Sequence, residues 1–332
     1  MSSPPICRRI GRRRSSWRGT DTRPSGAASP RGQLVTDPLD GATGSPRPGR
    51  PDVVVVGSAN LDYISRVSRA LTPGETLLAL EYDEQPGGKG LNQAVASAGL
   101  VATSLVGVVG DDEAGRALRA FAQQRGVDTT YLGVSDRRTG RAFVSLLPDG
   151  ENTIVVAPEA NAVLRSVDVV GALENTGPTA VLIQFEIPTD VVDAVREWAQ
   201  VTATRLVVNP SPFRELGPDL LGVADPLIVN TVEALQLVGW EAAPERLAQH
   251  LSMSSPSVVV TAGSGGAFIG MSGEVEHVRA APVAAVADTS GAGDHFAGTL
   301  VAHLARGASL GEATSHAVHD ASRIVGLVRS DR

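Results

Sequence analysis

Val53-Val54-Val55-Val56, bounded by Asp52 and Gly57, is the segment that most narrows what this chain can fold into. Four β-branched apolar residues in a row leave no polar face. The strand they form must be covered on both sides, as a central strand of a parallel sheet is. Similar runs recur at 104–109, 180–184, 205–208, 227–229 and 257–261, and helical periodicity fills the intervals at 91–98, 113–125, 189–200, 231–238 and 244–251. This alternation predicts an α/β fold, a doubly wound and mostly parallel sheet flanked by helices. Two stretches break the rhythm. Residues 77–83, and 141–147 joined to 152–157 through Pro148-Asp149-Gly150, predict antiparallel strands around a turn. They would form a small β appendage over the main sheet.

Charge divides the chain of 332 residues unevenly. Residues 1–50 carry ten arginines against three aspartates, a net of +7, whereas the rest carries 19 basic and 33 acidic residues, a net of −14. The acidic body argues against nucleic acid as a partner. The arginine-, serine- and proline-rich segment 1–50 has no hydrophobic period and is expected to be a disordered extension. Arg8-Arg9 and Arg12-Arg13-Arg14 lack the apolar run that a twin-arginine signal needs; a transit peptide and an over-extended reading frame are the other readings. Cys7 is the only cysteine, which excludes an internal disulfide and a cysteine metal site. No apolar stretch approaches the ~20 residues of a membrane span, so a cytoplasmic location is expected.

The run Asp288-Thr289-Ser290-Gly291-Ala292-Gly293-Asp294-His295-Phe296-Ala297-Gly298 falls between an apolar strand pattern at 283–287 and a helical pattern at 296–305. Gly291-Ala292-Gly293 therefore opens a helix, where unpaired backbone N–H groups at the positive end of the dipole make an anion site. An acid beside such a site, Asp294, repels the anion. It makes sense as a general base that takes a proton from a hydroxyl attacking a phosphate. The plainer reading is a tight turn followed by an ordinary first-turn acid.

Other motifs follow strands, where open α/β sheets bind ligands. Asn60 and Asp62 come after the first strand and are suited to gripping hydroxyls or to forming a turn. Lys89, the only lysine in the chain, stands among Gly87, Gly88 and Gly90 at a predicted helix start, with Asn92 in the first turn. Asn230 and Glu233 are spaced as a capping box or, alternatively, for a water-mediated hold on Mg²⁺ and the ATP phosphates. Thr261-Ala262-Gly263-Ser264-Gly265-Gly266 is either a hairpin linker or a loop along a nucleotide. Neither the G-x-G-x-x-G nor the G-x-x-x-x-G-K-[ST] pattern occurs.

In order and spacing these segments resemble the ribokinase-like (PfkB) family of carbohydrate kinases over about 52–329. Asp288, Thr289, Gly291, Ala292, Gly293, Asp294, Phe296 and Gly298 match its second signature, and 87–93 its first. Asn60-Leu61-Asp62, Gly110-Asp111-Asp112, Gln184-Phe185-Glu186, Asn209-Pro210 and Asn230 with Glu233 match as well. The resemblance implies that 51–332 is the kinase domain and that strands within about 62–86 and 141–157 form a lid that clasps a second copy in a homodimer. It implies Asp294 as catalytic base and the backbone of Gly291, Ala292 and Gly293 as anion hole. Asn60, Asp62, Gly88, Lys89, Asn92 and Glu186 would hold the sugar. Asn230, Glu233, Thr261, Gly263, Ser264, Gly266 and Gly293 would serve ATP and Mg²⁺, Glu233 reaching the metal through water.

The family pattern continues beyond Arg329 with a Gly-Ala loop and a helix, where this chain ends at Arg332. Asp288 and Ser290 would then supply half of a site for a monovalent cation such as K⁺. Glu159-Ala160-Asn161 stands where Gly-Ala-Asn is usual, and His295 where small residues are common. A phosphorylated sugar would need clustered basic groups, of which Lys89 and Arg141 are the candidates. A nucleoside would need aromatic rings, which make up 4% of the chain. A small neutral sugar phosphorylated on its primary hydroxyl, ribose above all, is the expected substrate. A ketohexose, a deoxy sugar acid or a nucleoside, and an impaired sugar-binding or regulatory protein, are the other readings.

Overall fold

The computed structural model describes residues 51–148, 150–283 and 290–326. The extension at 1–50, most of the strand expected at 283–287, and Asp288 lie outside the described residues. The chain begins with β1 (Val53–Val56), crosses into β2 (Asn60–Arg66) and β3 (Glu81–Gly87), and returns through α1 (Lys89–Ala98) to β4 (Thr103–Gly110). Then come α2 (Glu113–Gln124), β5 (Leu132–Ser135), β6 (Gly140–Leu146) and β7 (Asn152–Ala157). The next βα units are α3 (Ser166–Thr176), β8 (Ala180–Gln184), α4 (Thr189–Thr202) and β9 (Arg205–Asn209). The turn α5 (Pro218–Leu221) leads to β10 (Ala224–Asn230), α6 (Thr231–Val238), α7 (Pro244–Leu251) and β11 (Val258–Thr261). A hairpin of β12 (Ala267–Met271) and β13 (Glu274–Val278) precedes α8 (Ala292–Ala305) and α9 (Leu310–Ile324).

Among the described residues the main sheet has nine strands in the order β13-β12-β11-β10-β9-β8-β1-β4-β5, parallel from β11 to β5. Val53 to Val56 are fully buried. Val54 and Val56 join a core with α3, α4 and α7, whereas Val53 and Val55 pack with α1, α2, α8 and α9. That two-sided covering is why the run has no polar alternation, and each such side chain contributes roughly 1.5–3 kcal/mol by its burial. No helix among the described residues is long and apolar enough to cross a membrane.

The appendage is a four-stranded sheet, β3-β2-β6-β7, and its outline differs from the expectation. The strand expected at 77–83 forms at Glu81–Gly87, and residues 67–80 are largely irregular. Leu78 and Leu80, which carried the sequence signal, are exposed; the pairing Asn60↔Gly87 to Arg66↔Glu81 falls instead on a polar segment. Asn60 and Asp62, for which a turn was the alternative reading, are residues of β2.

Asp112 ties this sheet to the main one. As N-cap of α2 it accepts from the Gly115 N–H (2.8 Å) and from the backbone N–H and hydroxyl of Thr139. Burial works against its charge, but those hydrogen bonds and the Arg141 charge outweigh it and hold the carboxyl below its usual 3.8. Asp112→Ala should cost about 1–2 kcal/mol at neutral pH. With a depressed folded pKa, the stabilisation is complete above the unfolded value and is lost as pH falls through the folded one. Chemical denaturation should therefore show the gap between wild type and variant narrowing only below pH 3.8; equal midpoints at neutral pH would contradict the cap.

Candidate active site

β1 is flanked by β8 on one side and β4 on the other, so the chain's course reverses there, and a crevice opens beyond the strand ends. Ser58, Asn60, Glu186, Asn209, Asn230 and Thr261 all stand at or just past the carboxyl ends of β1, β8, β9, β10 and β11. α1 and α8 bring the other two sides.

Glu186 is the hub of the first group. Its Oε2 accepts from the Ser58 hydroxyl (2.5 Å), the Asn60 amide (3.2 Å) and the Lys89 backbone N–H (3.3 Å). Asn60 is in turn fixed by Asn161, whose Nδ2 donates to Asn60 Oδ1 at 2.8 Å and whose Oδ1 accepts from the Ala59 N–H at 3.0 Å. Gly88, N-cap of α1 with φ of 90°, passes so near Asn60 that a Cβ would stand 2.7 Å from its backbone nitrogen. Asp62 is buried two residues along β2, on the same face as Asn60.

The second group surrounds Asp294, buried in the first turn of α8. Asn92 Nδ2 donates to its Oδ2 at 3.2 Å, Gln93 Nε2 to its Oδ1 at 3.1 Å, and Lys89 Nζ lies 3.9 Å from Oδ1. Burial lowers the Lys89 pKa, but the Asp294, Glu186 and Glu233 carboxylates outweigh it and the net shift is upward. The only lysine of the chain is thus a fixed cation among three acids. α8 starts at Gly291, whose φ of 75° suits a residue without Cβ. Outside their own stretch of chain, no described atom lies within 4 Å of where a Cβ on Gly291 or Gly293 would sit, and both residues line a cavity with Asp294. His295 turns to α9, with Nε2 3.7 Å from Asp320 Oδ2.

Lys89, Asn230, Glu233, Thr261, Gly293 and Asp294 line one cavity of about 130 Å³. Asn230 and Glu233 do form a capping box: Asn230 Oδ1 accepts from the Glu233 N–H (2.8 Å), and Glu233 Oε2 from the Asn230 N–H (3.0 Å). Gly263 and Ser264 form the turn from β11 into the β12–β13 hairpin, closed by Gly266 with φ of 87°; they do not line this cavity. Ser290 and Gly291 border a second, larger space of about 670 Å³ between β3, α1, α2 and α9.

Arg141, the lid cation considered for a phosphorylated sugar, pairs with Leu61 and lies over the Tyr63 ring at 5.7 Å. Strand alternation places it opposite the face of Asn60 and Asp62. Glu159, where glycine is usual, has φ of 47°, the conformation that glycine adopts without cost. Ser58, Gln93, Asn161 and Asn209 are contacts to which sequence reasoning gave no role, although Gln93, Asn161 and Asn209 lie in motifs it named. Being buried polar residues inside or beside the motifs was their only signal.

The model of the pfkB family of carbohydrate kinases matches residues 50–328. The chain belongs to the pfkB carbohydrate kinase family. It is an ATP-dependent sugar kinase. The ribokinase of Haemophilus influenzae is 34% identical over 272 residues, covering 80% of this chain and 89% of its own. The ribokinase of Bacillus subtilis is 33% identical over 275 residues, covering 82% and 92%. The structure of Arabidopsis thaliana ribokinase complexed with ribose and ATP superposes with a TM-score of 0.75 at 30% identity, covering 83% of this chain and 93% of that one. An adenosine kinase from Sinorhizobium meliloti superposes with a TM-score of 0.74 at 22% identity, a likeness of fold alone.

Proposed function

We propose that this kinase transfers the γ-phosphoryl group of ATP to the primary hydroxyl of D-ribose, giving ribose 5-phosphate. The observation that carries the reading is the placement of Asp294. It is a buried carboxylate, 3.9 Å from the single lysine, in the first turn of a helix whose opening residues Gly291 and Gly293 line the same cavity. Asp294 takes the proton of the attacking hydroxyl, and the amides of Gly291, Ala292 and Gly293 receive charge developing on the transferring group. Lys89 adds positive charge on the same side.

Asn60, Asp62, Gly88, Asn92 and Glu186 hold the sugar hydroxyls. Tyr63 and Phe143 stack on each other at 5.5 Å on the opposite lid face from Asn60 and Asp62, away from any base to be stacked. With Arg141 on that face too, neither a nucleoside nor a phosphorylated sugar is matched. The similarity to ribokinases supports the same substrate.

Asn230, Glu233 and Thr261, with the 263–266 turn beyond them, serve the nucleotide. Glu233 fits Mg²⁺ held mainly through phosphates and water: it lines the cavity, and no group of three acidic, His or Cys side chains among the described residues converges as a closed metal site. When bound, Mg²⁺ neutralises phosphate charge. Ser290 remains a ligand for K⁺ in this reading, with Asp288.

The outward lid face bears Tyr63, Tyr82, Phe143 and Val155 in neighbouring positions, the last three about half exposed or more. Such a row is the surface through which lids pair in a homodimer. Light scattering at micromolar concentration should give twice the 34.3 kDa chain mass, and a monomer would refute it. The substrate reading is tested by kcat/KM over D-ribose, D-fructose, 2-keto-3-deoxygluconate and adenosine with ATP and Mg²⁺. Ribose should lead, and a larger value for any other acceptor would replace it.

A further inference from the structure

We propose that Gln93 is a positioning residue for Asp294: its amide sets the angle of the carboxylate, and Asn209 sets the angle of the amide. The inference rests on the reading of Asp294 as the base. Gln93 is fully buried in α1, and its Nε2 donates at 3.1 Å both to Asp294 Oδ1 and to Asn209 Oδ1. Chemistry fixes which way each group faces. Asn209 Nδ2 donates to the Ile228 carbonyl at 3.1 Å, which turns its Oδ1 towards Gln93 as an acceptor. Asp294 in its ionised form is an acceptor only, so the Gln93 NH₂ must face both, and its two hydrogens are spent one on each.

A hydrogen-bonded chain thus runs from the β10 backbone through the end of β9 to α1 and then to α8. It joins the nucleotide side of the crevice to Asp294. Asn92 also donates to the carboxylate, but it is half-buried beside open space. Gln93 has no exposed surface and no route to substrate, so its effect must pass through Asp294. Lys89, on the other side, is a charge in the cavity, with Glu186 and Glu233 behind it; His295 faces Asp320.

Core packing alone does not account for Gln93. Its Oε1 has no partner among the described residues, and an apolar side chain of equal length would avoid that cost. What methionine lacks is the pair of hydrogens.

The test compares purified full-length Gln93→Met, Gln93→Glu and Asp294→Asn with wild type, in steady-state kinetics with ATP, Mg²⁺ and D-ribose and in thermal unfolding. Both Gln93 variants should remain folded and lose kcat by ~10–100-fold, the loss expected when a reacting group is misplaced by under about 1 Å. The KM values for ribose and ATP should stay within about twofold, since neither ligand touches Gln93. The Glu variant keeps the shape but places a second carboxyl beside Asp294, so a proton shared between the two should shift its pH–kcat profile, which a packing role alone would not do. Wild-type kcat in either variant, a change in KM alone, or failure of both to fold would overturn the proposal, the last by making Gln93 structural. If Asp294→Asn itself retains wild-type kcat, the reading of Asp294 as base has failed. If it is inactive while the Gln93 variants are not, only the positioning role has failed.

Discussion

Asp294→Asn should lower kcat by about 10²–10⁴-fold, the contribution of a positioned general base. The substitution keeps the size of the side chain and removes its charge. It also turns one acceptor into a donor, opposite either the Asn92 amide at 3.2 Å or the Gln93 amide at 3.1 Å. Two donors then face each other, so the new amide is also held less firmly. Lys89 loses the nearest of the three carboxylates that raise its pKa. The KM for ATP should change little, because the amides of Gly291 to Gly293 are untouched. Measured by coupled ADP release, a residual rate within tenfold of wild type would remove Asp294 from the reaction.

Gly298→Ala should damage both the fold and the site, although Gly298 touches no ligand. Gly298 lies one turn beyond Asp294 on α8, where the helix crosses α1. A Cβ there would stand 2.3 Å from the Gln93 carbonyl oxygen and 2.7 Å from the Ala96 Cβ. The first obstacle is backbone, which cannot swing aside, so the helices must separate. Overpacking of this kind costs about 1–3 kcal/mol. The same separation draws Asn92, Gln93 and Lys89 away from Asp294, and ~1 Å of misplacement is worth about 10²-fold in rate. Gly171→Ala in α3 is the matched control, since nothing lies within 4 Å of its would-be Cβ. It should be neutral or stabilise by about 0.5–1 kcal/mol. Thermal unfolding and kcat measured on both variants decide the matter: equal behaviour would mean that the α1–α8 crossing does not hold the site.

The parts of this fold that were legible in the sequence are those where burial leaves a pattern. Val53–Val56 is fully buried, and its uninterrupted apolar run is the direct consequence. The appendage was harder because a small sheet with exposed outer strands imposes little pattern. β3 reads Glu-Tyr-Asp-Glu-Gln-Pro-Gly, and only its pairing with β2 makes it a strand. The β12–β13 hairpin was missed for a related reason: Glu274, Glu276 and His277 on its outer strand look like a loop. α9 was missed although Ser309 and Glu312 form a capping box that can be read from the chain.

The site divides in the same way. Gly291 to Asp294, Lys89 and Asn92 lie in short motifs whose residue types already state the chemistry. The partners of Asn60 and Asp294 do not. Asn161 meets Asn60 across 101 residues and Gln93 meets Asp294 across 201, separations at which spacing carries no information. Asn230 and Glu233 were ambiguous for a physical reason, since one pair of side chains satisfies the helix end and faces the cavity at once.

The most direct test of the account is ADP release from the purified protein with ATP and Mg²⁺, with and without D-ribose, beside Asp294→Asn. The account predicts turnover that depends on ribose and collapses in the variant. Ribose that binds to the wild type without any release of ADP, or release that continues unabated in Asp294→Asn, would contradict it.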